Sequence, residues 1–513
     1  MNPLSSKTVN SKRFPKTNAV AIVTILAASL LSMTWALADT INQDFKIEAS
    51  DGIRSAQFGH SVAISGEYIC VGAQFHDGIA DEAGAAYVYN SSTGEELYSL
   101  TSDSTFDFDL FGSAVDIENG FLAVGAPTAY NHSGKGEVYI FNIETGVQIR
   151  KIIASDASYS PGFGTSLDMD DGFMVVGDPL DYEDPYATAG SAYVINYETG
   201  AEIHRLIADD YRNMDYFGSS VAMDDGVIVV GATGDDDNGS QSGSAYLFDA
   251  ATGEQLFKLI ADDGYNWEYF GFSVAIENGI VAVGAPYHMA DRGGVYLFDV
   301  STGEQITKIM ATTPGADDLF GRTVEIDDGN LAIGAVGYGE NSTETGLVYL
   351  FDLATGEELH HFSVPGIYES AGLGSSVSLD NGKMVTGAYR DSDGGWEEEF
   401  GSAYIFSYGS GGTSAVPVAQ AGLSLSPNFP NPFNPSTTIT YSLEKDAMVE
   451  LSIYSARGQR VRTLYNGWQT SAETHSVAWD GKDANGRIQA SGVYYSRLRS
   501  NGQAVRRKMV LLK

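Results

Sequence analysis

Aromatic side chains recur in the variable stretches of this chain, where acidic and amide residues surround them. Rings flanked by hydrogen-bonding groups can stack on the faces of sugar rings or anchor a bound peptide, so these positions are candidates for ligand binding. The alternative is that many of the rings pack one loop against another. The candidate binding residues are Phe106, Phe108, Tyr159, Tyr216, Trp267, Tyr287, Tyr389 and Trp396.

Two acidic segments carry carboxylates that could bind a metal ion. Ca²⁺ takes about 6 to 8 oxygen ligands, many of them from carboxylates. The candidate ligands are Asp235, Asp236 and Asp237 in one segment, and Asp391 and Asp393 in the other. Neither segment has the complete ligand spacing of a calcium loop, so Ca²⁺ is a candidate cofactor and no other cofactor is expected.

Catalytic motifs are hard to find in this sequence. It contains no His-Glu-x-x-His zinc motif, no Gly-x-Ser-x-Gly elbow and no phosphate-binding loop. Only His360 and His361 are adjacent among the eight histidines, and neighbours on a strand point to opposite faces. We therefore predict no catalytic residues and expect a protein that is not an enzyme, although an undetected pair of carboxylates would leave a hydrolase or lyase open.

The candidate residues lie between copies of a sixteen-residue block. The block occurs seven times, with starts 50 to 54 residues apart, and a period of this length is typical of a propeller. The copies are FGHSVAISGEYICVGA from Phe58, FGSAVDIENGFLAVGA from Phe111, FGTSLDMDDGFMVVGD from Phe163, FGSSVAMDDGVIVVGA from Phe217, FGFSVAIENGIVAVGA from Phe270, FGRTVEIDDGNLAIGA from Phe320 and LGSSVSLDNGKMVTGA from Leu373.

Each copy predicts a four-stranded blade. An alternating segment meets a two-residue turn such as Asp225 and Gly226, then a second segment that is apolar on both faces. A variable stretch, a third strand, a Thr-Gly turn and a fourth strand follow. The sequence thus predicts an all-β protein whose residues 39–408 form a seven-bladed β-propeller.

The seventh copy lacks a fourth strand, because the chain runs into the Gly/Ser-rich stretch 409–422 after the third. Residues 44–49 resemble the fourth strands of other copies, so we expect them to complete blade 7 and close the ring. In an antiparallel blade the two short turns share one face. The long variable connections, with all eight aromatic candidates, therefore share the other face.

The heads Phe-Gly and centres Val-Gly-Ala-Pro of these copies resemble the FG-GAP family, the repeat of integrin α-chain propellers and many bacterial surface proteins. The resemblance covers about residues 44–408. Repeats of the integrin type often carry an acidic calcium loop between the first two strands. Here that connection is a two-residue turn, which is too short to supply the ligands of Ca²⁺, so those calcium sites are not expected.

Residues 423–513 predict a small Ig-like β-sandwich from several short strands at regular spacing. Four ordered motifs resemble the C-terminal sorting domain of the type IX secretion system and the related Ig-like domain of the flagellar hook cap. They are NFPNPFNPSTTITYSL from Asn428, IYSARGQRVRTL from Ile453, WDGKDANGRIQASGVYYSRL from Trp479 and the ending from Lys508. The resemblance implies that the type IX machinery reads this domain; the alternative is an ordinary structural Ig-like module.

Residues 1–38 predict a secretory signal peptide, with a basic start, an apolar run and the small-residue ending Ala36-Leu37-Ala38. The alternative is a retained membrane anchor. Cys70 is the single cysteine, so no intrachain disulfide can form and we expect it to pack as a small buried hydrophobe. Residues 39–412 carry 13 basic and 61 acidic side chains, which excludes nucleic acid and anionic membranes as partners.

Together these features predict an exported protein, secreted or held at the cell surface, that binds an extracellular glycan or protein through the long-loop face of its propeller. A secreted propeller hydrolase or lyase acting on polysaccharide is the alternative. A surface-layer or scaffold component without a small ligand is a third hypothesis.

Overall fold

The computed structural model describes most of the chain between residues 43 and 511. The described ranges are 43–77, 81–102, 108–128, 136–155, 162–184, 187–312, 317–337, 345–367, 370–392, 400–408, 424–425, 433, 435–443, 447–455, 460–470, 475–483, 486–500 and 503–511. The predicted signal peptide and the Gly/Ser-rich stretch 409–422 lie outside these residues. The chain forms two compact units, Met1–Gly411 and Gly412–Lys513.

The first unit is built from β-strands joined by short turns and longer connections. In chain order they are β1 (Phe45–Ile47), β2 (Phe58–Ser65), β3 (Tyr68–Ala73), β4 (Ala85–Asn90), β5 (Glu96–Leu100), β6 (Val115–Glu118), β7 (Phe121–Ala126), β8 (Glu137–Asn142), β9 (Val147–Ile152), β10 (Ser166–Asp170), β11 (Phe173–Asp178), β12 (Tyr182–Asp184), β13 (Ala187–Thr188), β14 (Ser191–Asn196), β15 (Ala201–Leu206), β16 (Phe217–Asp224), β17 (Val227–Ala232), β18 (Ser244–Asp249), β19 (Gln255–Leu259), β20 (Ser273–Glu277), β21 (Ile280–Ala285), β22 (Gly294–Asp299), β23 (Gln305–Ile309), β24 (Thr323–Asp327), β25 (Asn330–Ala335), β26 (Leu347–Asp352), β27 (Glu358–Phe362), β28 (Leu373–Asp380), β29 (Lys383–Ala388) and β30 (Ser402–Ser407).

These strands form seven four-stranded antiparallel sheets within the described residues, one for each sequence repeat. Blade 1 is β2 to β5, blade 2 is β6 to β9, blade 3 is β10, β11, β14 and β15, blade 4 is β16 to β19, blade 5 is β20 to β23, blade 6 is β24 to β27, and blade 7 is β28, β29, β30 and β1. The pair β12 and β13 is a small hairpin inside the long connection of blade 3.

The blades close into a ring. The first strands of neighbouring blades contact one another all the way round, including β28 with β2, so these strands are innermost. In blade 7 the fourth strand is β1, with Phe45 opposite Ile405 and Ile47 opposite Ala403. A parallel bridge between Phe58 and Gly401 joins blade 7 to blade 1. Because β1 covers the outer edge of β30, the last blade has the same four strands as the others.

The core lies between successive blades. In blade 4 the repeat phenylalanine Phe217 is buried and meets Tyr246 and Phe248 edge-on, with ring centroids 5.6 and 5.7 Å away. The same cluster includes Val175 and Leu206 of blade 3, so the phenylalanine closes the gap between two sheets. Cys70 is fully buried in the equivalent cluster of blades 1 and 2, and burial raises the pKa of its thiol.

The second unit contains two antiparallel sheets. Its strands are β31 (Ser424–Leu425), β32 (Thr437–Ser442), β33 (Ala447–Ser455), β34 (Arg460–Gln469), β35 (His475–Trp479), β36 (Gly492–Ser500) and β37 (Gln503–Leu511). One sheet has the order β31-β32-β35 and the other β34-β33-β36-β37. Both supply side chains to one core around the fully buried Trp479, which is the packing of a small β-sandwich. The predicted fold class, a seven-bladed propeller followed by a small sandwich, is therefore confirmed.

Helical structure among the described residues amounts to a single turn, α1 (His288–Asp291). Nothing helical in that part of the chain is long and apolar enough to cross a membrane.

Candidate functional site

The long connections of the propeller lie on one face. Because the strands of each blade are antiparallel in sequential order, the first and third connections end on one face and the others on the opposite face. We call the face that carries the second-to-third connections and the connections between blades the long-loop face. It comprises the second-to-third connections 74–84, 127–136, 179–190, 233–243, 286–293, 336–346 and 389–401, and the connections between blades, 48–57, 101–114, 153–165, 207–216, 260–272, 310–322 and 363–372.

A tight turn at each Phe-Gly pair brings the next residue to the inner rim of this face. In blade 5 the Phe272 N–H donates to the Tyr269 carbonyl at 3.1 Å, and in blade 6 the Arg322 N–H donates to the Leu319 carbonyl at 3.0 Å. The turn needs glycine, because a Cβ on Gly271 (φ +87°) would lie 2.3 Å from the Ser244 carbonyl oxygen of blade 4. The residues so placed are His60, Ser113, Thr165, Ser219, Phe272, Arg322 and Ser375.

A pocket of about 300 Å³ opens at this rim across blades 5, 6 and 7. We call it the rim pocket. It combines two tyrosine rings and two aliphatic side chains with one carboxylate and one guanidinium. Its lining residues are Tyr287, Asp291, Leu319, Arg322, Val336 and Tyr389. A recess of this size with a few converging polar groups is typical of a small-ligand site.

Arg322 is held in the rim pocket by aromatic contacts. Its guanidinium carbon lies 4.4 Å from the centroid of the Phe272 ring, which is a cation–π arrangement. The Tyr287 ring supports Phe272 at 6.5 Å and meets Tyr269 at 5.3 Å, both edge-on. The Arg322 side chain makes no hydrogen bond or ion pair with any residue that the structure describes. The guanidinium is thus fixed in position with its N–H donors available.

His60 lies beside Tyr389 at the same rim, with the two ring centroids 6.3 Å apart. Burial, followed by the positive charge of Arg322, lowers the pKa of His60 to about 4. His60 is therefore neutral near pH 7, and Arg322 supplies the positive charge that faces the pocket.

The structure brings two of the eight predicted binding residues, Tyr287 and Tyr389, together in the rim pocket. Tyr216 is half-buried at the position that Tyr269 holds in the next blade. Phe108 and Trp267 are also equivalent to each other, with φ of 64° and 67°, and are 47% and 54% exposed on the long-loop face. The remaining predicted residues, Phe106, Tyr159 and Trp396, lie outside the described residues.

A lysine occupies the centre of the first predicted metal cluster. The carboxylates of Asp210, Asp235 and Asp237 converge closely enough to hold an ion. The Lys258 ammonium lies among them, with Nζ 2.7, 2.9 and 2.5 Å from the three carboxylates. Burial opposes the charge on Lys258, but these hydrogen bonds raise its pKa above the ordinary value. A Ca²⁺ ion at this cluster would have to displace the ammonium.

Asp236, the middle residue of that predicted cluster, is not part of the convergence. It accepts a hydrogen bond from the Gln241 N–H at 2.7 Å, which holds the turn of its own loop.

The second predicted metal cluster has a similar internal cation. Asp391 is buried and accepts a hydrogen bond from Tyr404 at 2.6 Å, and Lys46 Nζ lies 3.2 Å from it. Burial alone would raise the pKa of Asp391, but the hydrogen bonds from Tyr404 and Ser402 and the charge of Lys46 hold it below its ordinary value. Asp393 lies outside the described residues.

The same arrangement recurs around the ring. In five blades a basic residue of the fourth strand stands opposite a tyrosine of the third and pairs with a carboxylate. The pairs are Lys46 with Asp391, Lys151 with Glu137, Arg205 with Asp181, Lys258 with Asp235 and Lys308 with Asp263. These acidic residues therefore stabilise the blades through side-chain ammonium and guanidinium groups.

Acidic residues also line the inner strands at the short-turn end. Asp224, Asp327 and Asp380 each end a first strand and accept a hydrogen bond from a turn N–H of the next blade, at 2.7, 3.2 and 2.7 Å. Burial first, and then repulsion from neighbouring carboxylates, raises the pKa of Asp224 and of Asp327 to about 6. These carboxylates join neighbouring blades by hydrogen bonds, and the ionisation of Asp224 and Asp327 at neutral pH lowers the free energy of unfolding.

Sequence reasoning missed Arg322, Phe272, Asp291, Leu319 and Val336. A signal for the first two was present, because the residue after the Phe-Gly or Leu-Gly head is Ser or Thr in four copies, whereas the copies FGHS, FGFS and FGRT carry a large side chain there. Asp291, Leu319 and Val336 have no such signal. They lie in three different connections, and only the curvature of the ring brings them together.

The closed ring of seven four-stranded blades defines a β-propeller, and its long variable connections lie on one face. The FG-GAP repeat family matches seven segments of the chain, at residues 41–89, 96–141, 147–195, 201–248, 254–298, 304–351 and 369–406. These segments cover more than half of the sequence, and the chain belongs to the FG-GAP repeat family. The FlgD Ig-like domain matches residues 433–503. A comparison with curated proteins found no match.

Proposed function

We propose that this protein is an exported, non-catalytic binding protein that recognises an extracellular glycan through the rim pocket. Propellers of FG-GAP repeats often serve adhesion or binding. The observation that carries the proposal is the pocket itself, a recess of about 300 Å³ that combines tyrosine rings with a carboxylate and a guanidinium. Tyr287 and Tyr389 can pack on the apolar face of a sugar, and Asp291 and Arg322 can bond its polar groups.

A glycan is favoured over a protein surface by the shape of the site. A protein partner usually covers a broad patch of about 800 Å² on each side. The rim pocket instead concentrates its polar groups in a space that suits one or two sugar rings. The exposed side chains Phe108 and Trp267 lie on the same face outside the pocket lining, where a longer glycan chain can contact them.

The test is binding of the chain 39–513 to a glycan array, with titration of the strongest ligand. We expect Tyr287→Ala and Tyr389→Ala each to weaken binding by about fivefold to a hundredfold, because aromatic anchors in a binding site contribute about 1 to 3 kcal/mol. Tyr265→Ala is the matched control, since Tyr265 lies on the same face, is 68% exposed and does not line the pocket. Unchanged binding in both pocket variants would refute this location.

A propeller hydrolase or lyase is the competing hypothesis. Glycoside hydrolysis by the usual route needs two carboxylates flanking the bond, about 5 to 9.5 Å apart. The rim pocket offers one carboxylate, Asp291, among the described lining residues. A panel of polysaccharides incubated with the chain 39–513 tests for reducing ends and unsaturated products. Turnover that Asp291→Asn abolishes would replace binding by catalysis as the function.

The export route is part of the proposal. Residues 1–38 would direct secretion across the inner membrane, and residues 423–513 would be read by the type IX machinery at the outer membrane. The match of residues 433–503 to the FlgD Ig-like domain supports a fold of the expected kind. Deleting residues 423–513 should trap the propeller inside the outer membrane. Normal surface delivery of the truncated protein would leave the domain as an ordinary Ig-like module.

A further inference from the structure

The charge of Arg322 faces a pocket, whereas five other basic residues of the propeller each face a carboxylate of the protein. Residues 39–412 contain 13 basic and 61 acidic side chains, so a positive charge has many potential partners. Five of the basic residues, one in each of five blades, form ion pairs with a carboxylate of their own blade or, for Lys308, of the connection that leads into it. The Arg322 side chain forms no ion pair or hydrogen bond within the described part of the chain and instead lines the rim pocket.

The surroundings of Arg322 favour an anionic ligand group. A guanidinium is planar and carries five N–H donors in a fork that matches a carboxylate. Stacking on Phe272 at 4.4 Å fixes its plane and removes part of the entropy that binding would otherwise cost. The side chain is half-buried, so donors without a protein acceptor lose part of their hydration. A carboxylate from a ligand would restore those hydrogen bonds.

The other lining residues narrow the ligand further. The carboxylate of Asp291 makes no hydrogen bond with a described residue and can accept from hydroxyl groups. Tyr287 and Tyr389 offer ring faces and edges for an apolar surface. A ligand that fits must therefore carry a carboxylate, hydroxyl donors and a flat apolar face within one or two ring widths. A uronic acid residue has all three.

We propose that the rim pocket binds a uronic acid residue of a polysaccharide, with Arg322 pairing with the sugar carboxylate and Asp291 accepting from its hydroxyl groups. This inference rests on the proposed glycan-binding function and specifies its ligand class. Asp291 is the one carboxylate among the described lining residues, and its acceptor oxygens are assigned to the hydroxyl groups of the sugar. Acidic side chains beyond about 8 Å are screened at an ionic strength of about 0.15 M, so the guanidinium of Arg322 is the group that attracts the sugar carboxylate.

The experiment compares oligosaccharides of galacturonate and of glucuronate with their methyl esters, which keep the ring and lose the charge. Titration calorimetry with the chain 39–513 measures each affinity. We expect the acids to bind about tenfold to hundredfold more tightly than the esters, the range for hydrogen bonds to charged groups. Arg322→Gln should remove most of that difference, because the acids lose a charged partner and the esters lose only a hydrogen-bond donor. Arg322→Lys should keep only part of it, because the ammonium lacks the planar fork.

Arg292→Gln is the matched control, because it removes the same charge from an exposed arginine outside the pocket lining, and it should leave every affinity unchanged. Equal binding of acids and esters, or acid binding that survives Arg322→Gln, would overturn the inference. If Tyr287→Ala still weakens binding of neutral sugars in that case, the proposed glycan-binding function stands without the uronic acid inference. Absence of binding to any glycan would overturn both. Tighter, Arg322-dependent binding of a peptide with a free C-terminal carboxylate would replace the sugar by a protein ligand.

Discussion

Replacing Asp327 with Asn should stabilise the propeller at neutral pH. Asp327 ends the first strand of blade 6 and accepts a hydrogen bond from the Asn381 N–H of blade 7 at 3.2 Å. Burial and the nearby charges of Glu277 and Asp380 raise its pKa from 3.8 to about 6. The amide oxygen of Asn can keep the hydrogen bond, and the substitution removes the charge.

The size of the effect follows from the pKa. A shift of about two units corresponds to about 3 kcal/mol, at about 1.4 kcal/mol for each unit. Because the Asp327 side chain is half-buried, solvent screening reduces the usable part, and we expect about 1 to 2 kcal/mol. In the unfolded chain an Asp titrates near pH 4. The folded state holds the Asp327 proton more tightly than the unfolded chain does. The stability that protonated Asp327 contributes to the wild-type protein is therefore fully present below about pH 4 and is lost as the pH rises through about 6.

The assay is urea denaturation of wild type and Asp327→Asn at pH 7.5 and at several lower values. The free energy of unfolding of the variant should exceed that of the wild type at pH 7.5, and the difference should vanish as the pH falls toward 4. Glu304→Gln is the control, because it removes one charge from an exposed side chain on the short-turn face. A variant that is less stable at pH 7.5, or equally more stable at every pH, would refute the reasoning.

Three further predictions concern the framework. Gly231→Ala should lower the free energy of unfolding in urea by at least about 3 kcal/mol, because its Cβ would lie 2.1 Å from the Gly271 carbonyl oxygen. The control is Gly279→Ala, in a turn with nothing within 4 Å, which should lower it by only about 1 kcal/mol. Equal losses in the two variants would contradict this prediction. Lys258→Met should lower stability by about 2 to 3 kcal/mol, because three carboxylates lose their cation; the control is Lys383→Met, whose ammonium bonds only serine oxygens, and an equal loss there would remove the charge argument. Deleting residues 39–49 should lower the melting temperature and cause self-association in sedimentation, because the edge of β30 loses β1; a monomer with unchanged melting would show that this strand is dispensable.

The repeats of the sequence were sufficient for the fold class. Alternating apolar residues, two-residue turns such as Asp225 and Gly226, and a repeated Phe-Gly head recur seven times. Each of these signals acts between residues that are close along the chain, so the sequence reveals it directly. The resemblance of residues 44–49 to a fourth strand likewise depends on a local pattern, although the register of β1 on β30 came from the structure.

The contacts of the acidic segments could not be predicted from local patterns in the sequence. Asp235 and Asp237 are carboxylates of one loop, and their spacing along the sequence is compatible with oxygen ligands of a metal ion. The cation that meets them is Lys258, which comes from the fourth strand of the same blade and is 21 residues beyond Asp237. Pairing of that strand with β18 places its ammonium next to the loop. Strand pairing, which no local pattern specifies, changed a metal hypothesis into an internal ion pair.

The sequence by itself determined the all-β class, the number of blades and the face that carries the variable loops, because strand periodicity and turn residues are local properties of the chain. Only the tertiary structure decided which of those variable residues form a site. Tyr287 and Tyr389 lie in the connections of blades 5 and 7, and Arg322 enters from blade 6 between them. They meet because innermost strands of successive blades converge at the rim of a closed ring, and that convergence is a property of the whole ring.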